Sequence, residues 1–269
     1  MNGLGNQFTI LDLRETEYPL SPEKVEIIAA KTEKTRCDQL ITIEKAPGGG
    51  DGVFMGVWNT DGSRVETCGN AARCIAWLLF QESDDETVRI ATQSNELLAQ
   101  RVSEKVVSVD MGEPKFGWRQ IPLAEQFEDT RFIDIKLGPI DNPVLWGPSA
   151  VNIGNPHCIF FVDDVTGHAL ERFGPMIENH PLFPERTNVS IAQATGEHSI
   201  RLRVWERGVG ITKACGTAAC ATAVAAHRRR LTARRVTITL DGGDLAIDWR
   251  EDNHVIMSGV IEHQGTGEL

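Results

Sequence analysis

Two of the six cysteines in this 269-residue chain occur in matching contexts. Residues 68–76 read Cys-Gly-Asn-Ala-Ala-Arg-Cys-Ile-Ala, and residues 215–223 read Cys-Gly-Thr-Ala-Ala-Cys-Ala-Thr-Ala. Cys215 follows Cys68 by 147 positions. Nearly the same offset recurs elsewhere. Gly-Asn stands before an apolar run at Asn6 and again 149 positions later at Asn155, and Gln39 and Asn188, also 149 apart, both precede apolar alternation. Three matches in register point to two copies of one unit, each with a cysteine at a helix start.

Helix physics says what such a cysteine can do. The first N–H groups of a helix have no intrahelical partner and carry partial positive charge. A thiol placed there is expected to have a lowered pKa, and its thiolate is the reactive form. Gly69 and Gly216 lack side chains, so a carboxylate can approach the N–H groups behind them. Each copy is therefore a candidate thiol acid/base beside an anion-binding helix end. If the copies face each other, two thiols flank one anion, an arrangement suited to moving a proton from one face of a carbon to the other. A single base could not serve both faces without turning the substrate over.

The remaining cysteines read as packing. Cys74 and Cys220 fall inside apolar helices, and Cys37 and Cys158 lie on or beside strands. No C-x-x-C is present, and the spacings Cys68/Cys74 and Cys215/Cys220 do not bring two sulfurs to one helix face, so no metal site is expected. Two titratable residues stand out. His157, after Gly-Asn-Pro, could tune one thiol, and Glu206 precedes the second cysteine loop. The run Arg228-Arg229-Arg230, with Arg234 and Arg235, sits at a helix C-terminus where cations are favoured. A net charge of −11 argues against nucleic acid as a partner. No apolar run reaches the roughly 18 residues a membrane span needs. The N-terminus lacks a signal-peptide layout, which favours the cytoplasm.

The elements that must position these residues read as strands around two apolar helices. Gly3 to Asn6 is a tight loop preceded by a very short strand or none, and Phe8–Leu13 alternates as a strand. Ser21-Pro22-Glu23 starts a helix running to about Lys31. Strands follow at Leu40–Ile43 and Val53–Trp58. Thr67 is a candidate cap for a helix from Cys68 to about Gln81, which is apolar nearly all round and so buried. Strands at Val88–Ala91, Leu97–Val102 and Val106–Met111 form a meander. Residues 118–150 give little periodic signal. Strands at Val151–Ile153 and Cys158–Val162 flank the Gly-Asn-Pro-His turn. A helix from about Ala169 to Asn179 is expected to break or kink at Gly174-Pro175. Strands at Asn188–Ala192 and Ser199–Trp205 lead to a loop and a helix from Cys215 to about Arg230. Val236–Leu240, Leu245–Asp248 and Val255–Ser258 complete the second set. The units are expected at 1–114, with the polar tail 259–269 packing onto them, and at 115–258.

Taken together, Gly3-Leu4-Gly5-Asn6-Gln7-Phe8, Asn59-Thr60-Asp61-Gly62-Ser63, Cys68-Gly69-Asn70-Ala71-Ala72-Arg73-Cys74, Met111-Gly112-Glu113-Pro114, Gly154-Asn155-Pro156-His157, Glu206-Arg207-Gly208-Val209-Gly210 and Ala214-Cys215-Gly216-Thr217 resemble the diaminopimelate epimerases. The resemblance implies an α/β (α+β) fold of two pseudo-twofold-related units. Each would be a set of mostly antiparallel strands around a central helix, with the active site in the cleft between. It implies a cofactor-independent isomerase that converts LL- to meso-diaminopimelate for lysine and peptidoglycan synthesis, working as a cytoplasmic homodimer. Cys68 would remove the α-proton of the LL isomer and Cys215 would reprotonate the opposite face. The N–H groups at Gly69-Asn70 and Gly216-Thr217 would hold the reacting carboxylate. Glu206 would contact the reacting ammonium and, with His157, support the thiols. Asn59, Asn155, Asn188 and Arg207 would read the distal end, with Asn6 and Gln39 as further contacts. Oxidation would join Cys68 to Cys215. Gln7 departs from the family's usual Asp, and the family's chains usually begin several residues earlier.

Three other readings compete, one of them a catalytically silent amino-acid-binding protein, which retention of both cysteines argues against. A proline racemase or hydroxyproline epimerase resembles the same architecture, but the asparagines with Glu206-Arg207 suit a substrate charged at its far end. A thiol redox protein cycling a Cys68–Cys215 pair is disfavoured by the absence of C-x-x-C and by the glycines placed for an anion.

Overall fold

A computed structural model describes residues 1–16, 18–30, 37–65, 68–139 and 141–267. Two compact units emerge, one of Met1–Asp110 with Ser258–Leu269 and one of Met111–Met257.

The first unit contains β1 (Asn2–Gly3), β2 (Asn6–Asp12), α1 (Pro22–Ala30), β3 (Gln39–Lys45), β4 (Val53–Asn59), β5 (Arg64–Val65), α2 (Gly69–Glu82), β6 (Thr87–Ala91), β7 (Glu96–Arg101) and β8 (Val106–Asp110). The strands are ordered β1-β2-β3-β4-β6-β7-β8, with β5 on β4. Pairs β2–β3 and β4–β6 are parallel and the other described pairs are antiparallel. The first hairpin turns on Leu4 and Gly5, at φ 61° and 85°. Two left-handed residues in a two-residue loop match the right-handed twist of the flanking strands. The Gly5 N–H donates to Asn2 Oδ1 at 2.8 Å, and Asn6 is set at the first position of β2.

The second unit contains β9 (Lys136–Leu137), β10 (Leu145–Trp146), β11 (Ser149–Asn152), β12 (Pro156–Phe161), α3 (Leu170–Glu178), β13 (Asn188–Gly196), β14 (Ser199–Glu206), β15 (Gly210–Thr212), α4 (Gly216–Arg228), β16 (Arg235–Leu240) and β17 (Gly243–Trp249). A final strand, β18 (Val255–Val260), crosses from the second unit into residues of the first. The order β11-β12-β13-β14-β16-β17, with β15 on β14, repeats the first unit strand for strand. The parallel pairs are again the second and the one that skips a short strand, β12–β13 and β14–β16. The register repeats too. Phe8 pairs with Gln39, and His157, 149 positions on, pairs with Asn188. The offset read from sequence is therefore a repeat of hydrogen-bonded geometry.

Helices α2 and α4 carry each unit's core. Helix α2 packs on β1, β6, β7 and β8, and α4 packs on β11–β14, β16 and β17. Every residue from Gly216 to Ala226 is buried. Alanines at 218, 219, 221, 223, 225 and 226 favour helix and let strands approach closely. Arg230, at φ 63°, ends this helix. Its N–H reaches His227 O and the Leu231 N–H reaches Ala226 O, which satisfies the last carbonyls. The arginine run is absorbed locally, with the Arg228 guanidinium over Phe116 at 3.9 Å and that of Arg229 over Phe132 at 4.0 Å.

Several expectations are corrected or completed by the structure. Helix α3 is continuous through Gly174-Pro175. A Cβ at Gly174 would lie 2.4 Å from Trp205 Cδ2, so only glycine lets Trp205 lie against the helix, and that packing offsets the hydrogen bond lost at Pro175. Residues 118–150, with little periodic signal, still contribute to the core: Ile121, Leu123, Ile133, Ile135 and Leu145 are buried in one cluster with Phe160, Leu170 and Ile191. The proposed cap Thr67 and the helix end at Lys31 lie outside the described residues, and the N-cap position of α2 is Cys68. The tail from Ile261 packs on the first unit. Asn2 bridges Glu262, Ile261 N–H donates to Lys105 O, and His263 stacks on Trp77 of α2 with centroids 5.5 Å apart.

Candidate active site

Both cysteines of the repeated segment are N-caps with nearly the same backbone. Cys68 has φ −136°, ψ 102°, and Cys215 has φ −137°, ψ 112°. The first intrahelical bonds are the same, Ala72 N–H to Cys68 O and Ala219 N–H to Cys215 O, each 3.0 Å. Neither side chain is spent as a cap in the usual way. The first-turn N–H groups, at Gly69-Asn70 and Gly216-Thr217, carry the positive end of the helix dipole.

In the first unit Cys68 is half-buried. Asn70, 2% exposed, donates through Nδ2 to Asn6 Oδ1 at 2.8 Å and leaves Oδ1 without a partner. Asn6 is thus tied from the first hairpin to the first turn of α2. On the neighbouring strands Gln39 pairs with Asn59, and Gln39 Nε2 donates to Asn59 Oδ1 at 3.2 Å. Asn59 Nδ2 donates to Ser63 Oγ at 3.0 Å, within the turn between β4 and β5.

In the second unit Cys215 is 6% exposed. Its sulfur lies 3.5 Å from Thr217 Oγ1. The thiol and the Glu206 carboxylate are hydrogen-bonded to each other, and Thr212 Oγ1 donates to Glu206 Oε1 at 2.5 Å. This overturns the expected lowering of the thiol pKa. Burial, then the nearby Glu206 charge, push Cys215 well above its ordinary value, and the helix-end donors oppose this without reversing it. Desolvation likewise raises Glu206, against the hydrogen bonds from Thr212 and Cys215. The thiol form of Cys215 is therefore favoured.

His157 is fully buried. Its Nε2 lies 2.7 Å from Asn155 Oδ1, an acceptor, which places the ring proton on Nε2, and Nδ1 has no hydrogen-bond partner. Burial, helped by the Arg207 charge, pushes its pKa down from 6.5 to about 3. The ring is neutral in the native state while the unfolded ring protonates near 6.5. The stabilisation is thus complete above about pH 6.5 and is lost as pH falls towards 3. Denaturant midpoints are expected to fall with pH across this window, and His157→Phe, which places in the second unit the residue found at position 8, should flatten the slope. Equal slopes for both proteins would contradict the assignment.

Asn188, also buried, donates to Pro156 O at 3.0 Å and accepts the Arg207 N–H at 2.9 Å. The Arg207 guanidinium donates to Glu185 O at 2.9 Å. His157, Asn155, Asn188, Glu206, Arg207, Cys215, Gly216 and Thr217 thus converge within the second unit. Asn6, Gln39, Asn59, Cys68, Gly69 and Asn70 belong to the first. Thr212 was missed because three-residue β15 carries no periodic signal. Among the described residues no group of three or more His, Cys, Asp or Glu is placed to hold a metal, and no helix is long and apolar enough to cross a membrane.

Comparison with known proteins bears on this arrangement. The family model described as Diaminopimelate epimerase matches residues 1–117 and 149–264. This chain belongs to the diaminopimelate epimerase family. It is 49% identical to a Diaminopimelate epimerase of Afipia carboxidovorans, over 98% of this chain and 92% of that one. A Rhodopseudomonas palustris member is 48% identical, over 100% and 92%. Among solved structures the family fold is shared, at low identity, with a PhzF-family phenazine biosynthesis protein of Enterococcus faecalis (TM-score 0.65, 16% identity, 95% and 89% coverage). A hydroxyproline epimerase of Agrobacterium vitis is similar in the same way (TM-score 0.62, 10% identity, 95% and 85% coverage). The mixed α/β architecture expected from the motifs is the one observed.

Proposed function

We propose that this chain interconverts LL- and meso-diaminopimelate without a cofactor, with Cys68 and Cys215 as the two acid/base groups. The observation that carries the reading is the pair of cysteines at repeat-equivalent helix N-caps in nearly identical backbone conformation, in a chain of the diaminopimelate epimerase family. The α-proton beside a carboxylate is very weakly acidic. Helix-end N–H groups at Gly69-Asn70 and Gly216-Thr217 bind that carboxylate and stabilise charge as it develops. From the LL isomer, Cys68 removes the proton as thiolate, and Cys215, held as a thiol beside Glu206, delivers one to the other face. Glu206 also meets the reacting ammonium, and neutral His157 supports the thiol chemistry through its open Nδ1. Asn59, Asn155, Asn188 and Arg207 read the far amino-acid end, with Asn6 and Gln39 beside them. We place the enzyme in the cytoplasm, because the chemistry needs reduced thiols. The family resemblance supports a homodimer.

The deciding experiment incubates LL-diaminopimelate with the protein and reductant in D2O and follows the α-carbon by NMR. Deuterium incorporation with inversion to the meso form, and none with proline, is the expected result. No exchange with diaminopimelate rules the reading out.

A further inference from the structure

We propose that Glu178 is a positioning residue for substrate recognition, acting through Arg207, because its buried carboxylate ties the 206–210 loop to the segment that anchors the Arg207 guanidinium. The inference rests on the epimerase reading for its kinetic consequence. Glu178 is the last residue of α3 and 5% exposed. Three donors converge on it. Trp205 Nε1 donates to Oε2 at 2.7 Å, the Gly208 N–H donates to Oε1 at 2.9 Å, and Arg186 Nη1 donates to Oε1 at 3.2 Å. Trp205 and Gly208 bracket Glu206 and Arg207. Arg186 adjoins Glu185, whose carbonyl holds the Arg207 guanidinium.

The backbone is shaped for this junction. Gly208 has φ 76°, and Arg186, a residue with a Cβ, is held at φ 61°. A left-handed Arg costs energy that surrounding contacts must offset. The tie to Glu178 supplies one of them. Arg207 is consequently restrained at its own N–H by Asn188, at its guanidinium by Glu185 O, and at the next residue by Glu178. An ionised carboxylate only accepts, which suits three donors, whereas an amide would turn an NH2 towards one of them. Glu178→Gln must therefore release either the indole or the Gly208–Arg186 side.

The test compares steady-state kinetics on LL-diaminopimelate for the wild-type protein, Glu178→Gln, Arg207→Ala and the double variant. Glu178→Gln is expected to raise KM about tenfold and leave kcat within about threefold, since the thiols stand on other elements and Glu206 keeps its anchor in Thr212. In the Arg207→Ala background the same substitution is expected to change KM less than about twofold, the non-additivity of residues that act through one another. An unchanged KM, or equal effects in both backgrounds, overturns the proposal. If Glu178→Gln folds poorly, Arg186→Met removes only the solvent-side donor and is expected to raise KM about threefold with the same background dependence. Hydrogen exchange at the Gly208 N–H and the Trp205 indole, followed by NMR without substrate, should quicken in Glu178→Gln. That readout needs no activity. An inactive wild-type protein would sink the epimerase reading alone, and unchanged exchange would sink the positioning role alone.

Discussion

Cys68→Ala is expected to abolish conversion of LL- to meso-diaminopimelate, lowering kcat by at least about 10³-fold, within the range that a lost general base accounts for. The alanine keeps the N-cap backbone and removes only the sulfur. Half-buried Cys68 needs no cavity to be filled, so stability should hold while the reaction stops. Solvent deuterium should no longer enter the LL isomer, because the proposed base for that proton is gone. The first-unit residue at the place of His157 is Phe8, which cannot substitute as a base. Near-wild-type deuterium uptake with inversion in this variant would end the two-thiol mechanism. The thermal midpoint, measured alongside, separates lost chemistry from lost fold.

Cys215→Ala is expected to give a different phenotype at similar cost to inversion. LL-to-meso conversion again falls by at least about 10³-fold, because the far-face proton donor is gone. Cys68 remains able to remove the α-proton, exchange it with solvent and return it to the same face. Deuterium should therefore enter the LL isomer with retention, at a rate reduced by less than about 10²-fold, while the meso centre that Cys215 serves stays protonated. The asymmetry follows from the environment of Cys215, which burial and the Glu206 charge hold as a thiol. Loss of exchange from both isomers, or inversion that survives, would show that the thiols are not face-specific. A buried Cys215 makes some loss of stability expected in this variant, of about 1 kcal/mol, as for small deletions in a packed core.

Much of this protein is written in local pattern. The recurrence of Cys-Gly-x-Ala-Ala and of Gly-Asn at offsets of 147 and 149 marks a duplication, and the offset survives into strand register, as Phe8 with Gln39 and His157 with Asn188 show. Alternation finds the long strands, because side chains of period two report burial on one face. The all-round apolar runs after Cys68 and Cys215 mark the two buried helices, since a helix without a polar face has to be covered. Those signals arise from neighbours a few residues apart, and the residues themselves carry them.

Other features arise only when distant segments meet. Ile121, Leu123, Ile133 and Ile135 lie in a stretch with little sustained periodic signal, yet they share one core cluster with strand and helix residues. Short β5 and β15 are strands because β4 and β14 pair with them. Three donors reach Glu178 from positions 186, 205 and 208, all beyond the end of α3 at Glu178. The protonation of Cys215 is the clearest instance. Its place at a helix start argues locally for a thiolate, and the burial and neighbouring carboxylate that hold it as a thiol come from packing and from Thr212-anchored Glu206. A helix dipole acts over one turn of the cysteine's own helix, whereas desolvation sums over everything that covers the sulfur, so its sign could be settled only in the folded chain.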